Sequence, residues 1–126
     1  MNRDKLDQGK RGEDLAVSFL QKQGWQIVER NFHIRGGEID IIAIEYSSVE
    51  KVHTLVFVEV KTRSSTQYGT PLEAIGYHKL RTLIKASQFY KIKHPELPEL
   101  MRIDAISVML DGEGNLLDIE LVKNIS

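Results

Sequence analysis

EIDIIAIEY (Glu38–Tyr46) and TLVFVEVKT (Thr54–Thr62) are the two strongest strand runs in the chain, and the polar stretch Ser47–His53 between them predicts an antiparallel hairpin with a longish loop. On the second run the pleat places Leu55, Phe57, Glu59 and Lys61 on one face and Val56, Val58 and Val60 on the other. The first run mirrors it: Glu38 and Asp40 begin a face that continues through Ile42 and Ile44, while Ile39, Ile41 and Ala43 line the opposite one. A solvated face would alternate polar residues along its whole length. Here the charges gather at one end of each strand.

Antiparallel partners keep a constant index sum, and only an odd sum puts like faces together. A sum of 99 opposes Ile44 to Leu55, Ile42 to Phe57, Asp40 to Glu59 and Glu38 to Lys61; sums of 97 or 101 keep the faces but slide the pairs diagonally. Even sums would set Asp40 beside Val58 or Val60 and bury charge against apolar side chains. Two carboxylates at cross-strand distance destabilise a sheet unless something neutralises them: a divalent cation, a raised carboxylate pKa, or pairing with Lys61. The bland alternative is a cross-strand ion pair on exposed strands.

Outward from the hairpin, a helix is predicted from about Gln8 to Gln23, with Leu15, Ala16, Phe19 and Leu20 on one side and Gly24 as its stop. A first strand, Gln26–Phe32, leads to the turn at Gly36-Gly37. Thr70-Pro71-Leu72-Glu73 provides an N-cap, a proline and a capping-box acid, so a second helix is predicted from there to about Lys93, closed by His94-Pro95. Met101–Leu110 and Leu116–Val122 are strands around a hairpin turn at Asp111–Asn115. The order α-β-β-β-α-β-β reads as an α/β or α+β fold, one domain across residues 1–126, with helices packed on a mixed sheet.

The chain has 126 residues and no cysteine, which excludes disulfide frameworks, thiolate metal sites and cysteine nucleophiles. No apolar run is long enough for a membrane span, and a cytoplasmic protein is expected. The net charge of −1 conceals a division. Lys61–His94 carries seven bases and one acid, +6, whereas Ile103–Val122 carries five acids and no base, −5. The basic segment follows the acid-tipped strands directly, where a phosphate backbone would have to lie.

Two carboxylates and a lysine at one end of a sheet suit Mg²⁺ or Mn²⁺, which take oxygen ligands and keep waters for chemistry. Asp40 and Glu59 are the expected ligands, with the Val60 carbonyl as a further oxygen. Lys61 would orient or help deprotonate a water and offset charge developing on a phosphoryl group. The expected reaction is phosphodiester hydrolysis.

Gly37-Glu38-Ile39-Asp40 followed by Phe57-Val58-Glu59-Val60-Lys61-Thr62-Arg63 resembles the core of the PD-(D/E)xK nuclease superfamily. Gly12-Glu13, Arg30-Asn31, Tyr68-Gly69 and Arg102-Ile103-Asp104 match, more narrowly, the YraN-like family of small bacterial proteins, over nearly the whole chain. That family is similar to Holliday-junction resolvases and restriction-type endonucleases. The resemblance implies a restriction-endonuclease-like mixed central sheet flanked by helices, a DNA partner that is branched in some relatives, a homodimer by analogy, and a Glu13 that reaches the metal site from the first helix. Ile39 stands where the superfamily name has proline, and the hairpin loop Glu45–His53 is longer, at the end away from the acids.

Arg63, Ser64, Thr66 and Tyr68 offer donors and an aromatic ring suited to a phosphate backbone, although a plain flexible loop would look the same. Lys79 sits near where related nucleases carry a polar site residue and is otherwise a solvated lysine. His33, His53, His78 and His94 share no ligand spacing and read as surface or loop residues. The alternatives to a nuclease are a non-catalytic nucleic-acid-binding module with the same fold, and a protein-interaction domain whose acids form an ion-pair network.

Overall fold

The computed structural model describes residues 3–64 and 75–126. Helix α1 (Arg3–Lys22) precedes three strands, β1 (Gln26–Ile34), β2 (Gly37–Ser47) and β3 (Val52–Ser64). Helix α2 (Tyr77–Lys93) and strands β4 (Leu100–Leu110) and β5 (Leu116–Val122) follow. The strands form one sheet in the order β1-β2-β3-β4-β5, with β3 and β4 parallel and every other neighbour antiparallel. This is an α/β fold with the predicted element order. A parallel pair needs a crossover, and α2 lies within it. No helix among the described residues is long and apolar enough to cross a membrane.

The β2–β3 register follows a sum of 99 at every paired position, from Ile41 opposite Val58 to Ser47 opposite Val52. Alternation then divides the core. Val56 and Val58 join Ile41, Ala43, Ile106, Val108 and Leu110 beneath Ala16 and Leu20 of α1. Leu55 and Phe57 join Ile42 and Ile103 beneath Leu83, Ala86 and Tyr90 of α2. Gly24 ends α1 in the left-handed region (φ 90), which lets the Trp25 N–H bond back to the Leu20 carbonyl and turns the indole into the core.

Three expectations need correction. Helix α1 begins at Arg3 rather than near Gln8, because the polar residues before it are adequate helix formers and contain no proline. The strand runs extend to Ser47 and Val52, so the hairpin loop is short; Tyr46 and His53 stack across it with ring centroids 4.7 Å apart. Helix α2 does not run through Gly76, whose extended backbone (φ −87, ψ 179) caps it at Tyr77; the predicted start at Thr70 lies outside the described residues.

Gly12 lets α1 approach β3 closely. A Cβ there would overlap Thr62 Oγ1 and stand 2.8 Å from Thr62 Cβ. Gly12→Ala is therefore expected to destabilise by about 2–3 kcal/mol, as overpacking does, despite alanine's better helix propensity. Urea unfolding of G12A against G12A/T62A checks it: removing the threonine hydroxyl and methyl should recover most of the loss.

Candidate functional site

The β2–β3 ladder stops at Ile41–Val58, one pair short of the acids. Beyond it the Asp40 carboxylate takes the place of a backbone partner, its Oδ2 accepting the Val60 N–H at 2.8 Å. The cause lies on the neighbouring strand. Asn31, which would face Asp40 in the β1–β2 register, has positive φ (55) and is skipped by the pairing. Period-two alternation therefore slips by one residue at Asp40. Ile39 consequently packs in the α2 cluster with Ile42, not with Ile41 and Ala43 as strict alternation predicts.

Asp40 and Glu59 do come together. Burial first, then the neighbouring Glu59 carboxyl, push Asp40 up to about 7. The Val60 N–H and the Lys79 ammonium pull the other way and do not win. Glu59 is 2% exposed. Its Oε2 stands 3.1 Å from Lys79 Nζ and 3.9 Å from Lys61 Nζ, yet it has no hydrogen bond of good geometry. A buried carboxylate oxygen in that state is costly unless another ligand satisfies it.

Lys79 is thus drawn to the carboxylate pair from α2, although the sequence reads as readily as a solvated lysine. Glu38 does not oppose Lys61 in a ladder pair; it pairs with His33 of β1 instead, 3.8 Å away. Glu13 points toward the same region from α1, but its Oε1 accepts from Arg30 Nε and Asn31 Nδ2, both at 3.0 Å. Arg30 also reaches Asp14 at 2.6 Å, and that hydrogen bond holds Asp14 below the usual carboxylate range. Among the described residues no three His, Asp or Glu side chains converge as a ready metal cage.

Asp40, Glu13, Val60, Lys61, Arg63 and Ser64 all line one open groove of about 950 Å³, with Lys10, Arg30 and Asn31 on its other wall. Gln8 closes one end by donating to Ser64 Oγ at 2.9 Å. Thr66 and Tyr68 lie outside the described residues. The groove brings four basic side chains, Lys10, Arg30, Lys61 and Arg63, around three carboxylates, Glu13, Glu38 and Asp40, a distribution suited to a phosphodiester that must approach an acidic centre. The donor set, carboxylate oxygens with one left unsatisfied, fits a hard divalent cation at Asp40 and Glu59. Sequence reasoning missed Arg30, whose only signal was its place beside Asn31 in the resemblance.

The chain matches the Uncharacterised protein family UPF0102 over residues 12–108. It is 46% identical over 101 residues to a UPF0102 protein of Persephonella marina, covering 80% of this chain and 82% of that protein. A UPF0102 protein of Caldicellulosiruptor saccharolyticus is 40% identical over 120 residues, 95% of this chain and 97% of its own. One of Geobacter metallireducens is 43% identical over 105 residues, 83% and 81% respectively. The matched span runs from the buried Gly12 through both acid-bearing strands to Val108 of β4, and on that span the chain belongs to the UPF0102 family.

Proposed function

We propose that the protein is a metal-dependent endonuclease that hydrolyses phosphodiesters in DNA, branched DNA included among its substrates. The observation that carries this reading is the pairing of Asp40 with a buried Glu59 that keeps one oxygen unsatisfied, beside Lys61 and under a groove with basic walls. Asp40 and Glu59 would hold Mg²⁺ or Mn²⁺, with the Val60 carbonyl and Glu13 as further oxygens. When bound, such an ion supplies Lewis-acid polarisation of the phosphoryl group and a more acidic water.

The chain's own residues do the rest. The Val60 N–H orients Asp40. Lys61, partly exposed, offers an ammonium that offsets charge developing on the phosphoryl oxygens. Lys79 keeps the buried Glu59 charge compensated from the opposite helix. Arg30, Lys10 and Arg63 provide cations along the groove for the backbone on either side.

The test is cleavage of branched, single-stranded and duplex DNA with and without Mg²⁺ or Mn²⁺. Glu59→Ala and Lys61→Ala are each expected to lose at least about 100-fold in rate, the range for removing one electrostatic stabiliser of a transition state. Activity that survives both substitutions would overturn the assignment. One observation favours a second reading, a nucleic-acid-binding module without turnover: Glu13 is held by Arg30 and Asn31. Metal-independent DNA binding with no cleavage in any arm would select it.

A further inference from the structure

Helix α2 carries Lys79, Arg81, Lys85, Lys91 and Lys93 and not one acid. Its buried side is Leu83, Ala86, Ser87 and Tyr90. On the opposite side Tyr77, Arg81 and Lys85 succeed one another at four-residue spacing, forming an exposed row. Neither Arg81 nor Lys85 pairs with a described acid. Tyr77 is 68% exposed and is held in place by Arg81, which donates to its hydroxyl at 3.2 Å and lies 5.6 Å from its ring centroid. The arrangement recurs one helix length on: Phe89, 43% exposed, has Lys93 Nζ 5.3 Å from its ring and stacks on Phe32. Two exposed aromatic rings, each with a cation four residues later, go beyond what a solvated basic face requires. Burying neither ring leaves apolar area in water.

We infer that this face of α2 binds single-stranded nucleic acid, with Tyr77 and Phe89 as stacking platforms and Arg81 and Lys85 on phosphates. The inference rests on the nucleic-acid reading above and adds to it a surface and a strand state. Stacking on an exposed ring needs an unpaired base, because bases within a duplex already stack on each other. The row keeps to the outer face: from Tyr77 to Phe89 it spans about 18 Å at 1.5 Å per residue, while Lys79, two residues after Tyr77, points to the opposite, buried side and reaches Glu59. One rival is a second copy, whose acidic turn and strand at Asp111, Glu113, Asp118 and Glu120 could attract this face but offer the rings exposed Leu116 and Leu117 and no aromatic ring to stack on.

The test is fluorescence anisotropy of labelled single-stranded and duplex oligonucleotides of equal length in EDTA, over a salt series, with the full chain. Tighter binding of the single strand is expected. Tyr77→Ala should weaken it roughly tenfold and leave duplex binding nearly unchanged. Arg81→Glu/Lys85→Glu should weaken it more and reduce the salt slope by about 1.4, the value for two phosphate contacts on a single strand. Arg81→Lys/Lys85→Arg should bind like wild type, and circular dichroism shows that each variant folds. If Tyr77→Ala and Arg81→Glu/Lys85→Glu bind the single strand as wild type does, the inference is overturned, even if metal-dependent cleavage is found. Binding that responds as expected sustains it even if no cleavage is found, and then only the catalytic reading falls. Polyglutamate that binds with the same variant dependence would assign the face to an acidic protein. A wild-type dimer dissociated by the charge reversal, with no oligonucleotide bound, would assign it to a second copy.

Discussion

Replacing Arg102 by alanine is expected to lower stability by about 3–5 kcal/mol, the range for leaving a buried charge without its partner. Arg102 on β4 donates to both oxygens of Asp104 at 2.8 Å and to Glu45 of β2 at 2.8 Å. Asp104 is fully buried, so losing the guanidinium strands a carboxylate that water cannot reach. Asp104 also accepts the Asn124 N–H at 2.9 Å, which ties down the segment after β5, and the Ile125 N–H bonds to the Ile103 carbonyl beside it. Burial alone would raise Glu45, but the Lys123 and Arg102 hydrogen bonds outweigh it and hold the group below the ordinary carboxylate range. Its contribution is present above that ordinary range and is lost as pH falls through the folded value. Lys123→Ala, at a half-exposed side chain on the same Glu45, should cost only about 0–1 kcal/mol. Urea unfolding measures both. Arg102 lies 5.8 Å from the Trp25 ring, so indole emission reports the change locally. An R102A variant as stable as wild type would show that Asp104 is satisfied some other way.

That cluster shows where sequence reading stops. Arg102-Ile103-Asp104 was visible only as a resemblance, because Glu45 is 57 residues away and becomes a neighbour only through the β2–β3–β4 order. By contrast, the parity of the β2–β3 register was legible before any fold was known, while the choice of 99 among the odd sums came from the fold. Alternation on both strands leaves one parity that avoids burying Asp40 against valine, and the paired residues obey it from Ile41 to Ser47. Period two extrapolates well through regular backbone and fails where one residue leaves it. Asn31 does so opposite Asp40, in the same stretch where Ile39 packs in the α2 cluster and the β2–β3 ladder ends. Asparagine tolerates this conformation, but nothing in the sequence marks which asparagine uses it. Lys79 stood out only through the resemblance, for a different reason: a lysine at a helix start is usually solvated, and only the approach of α2 to the buried Glu59 distinguishes it.

Asp40→Asn is expected to stabilise the protein above about pH 7 while removing the proposed metal-dependent cleavage. Burial and Glu59 push Asp40 up to about 7 from an ordinary 3.8, so the folded state holds a proton that the unfolded state releases. Where the folded state binds more protons, stability falls as pH rises. The sign is therefore opposite to that of a salt-bridged carboxylate: the penalty is absent below about pH 4, grows through the interval, and is complete above about pH 7. At 1.36 kcal/mol per unit the displacement corresponds to a few kcal/mol, and a gain on the order of 2–4 kcal/mol is expected for D40N at pH 8. Asparagine keeps an oxygen to accept the Val60 N–H and supplies a donor toward Glu59, so neither neighbour is orphaned. Glu45 and Asp14, whose pKa values are lowered, act at the acid end and leave the interval from pH 5 to pH 7 to Asp40. Thermal unfolding of wild type and D40N between about pH 4.5 and pH 8 measures the effect. The two curves should converge near the acid limit and separate toward the alkaline one. Curves that stay parallel would mean that Asp40 and Glu59 do not share a proton. Separation would identify the pair as a destabilised element of the fold, the state that a cation bound as proposed would relieve.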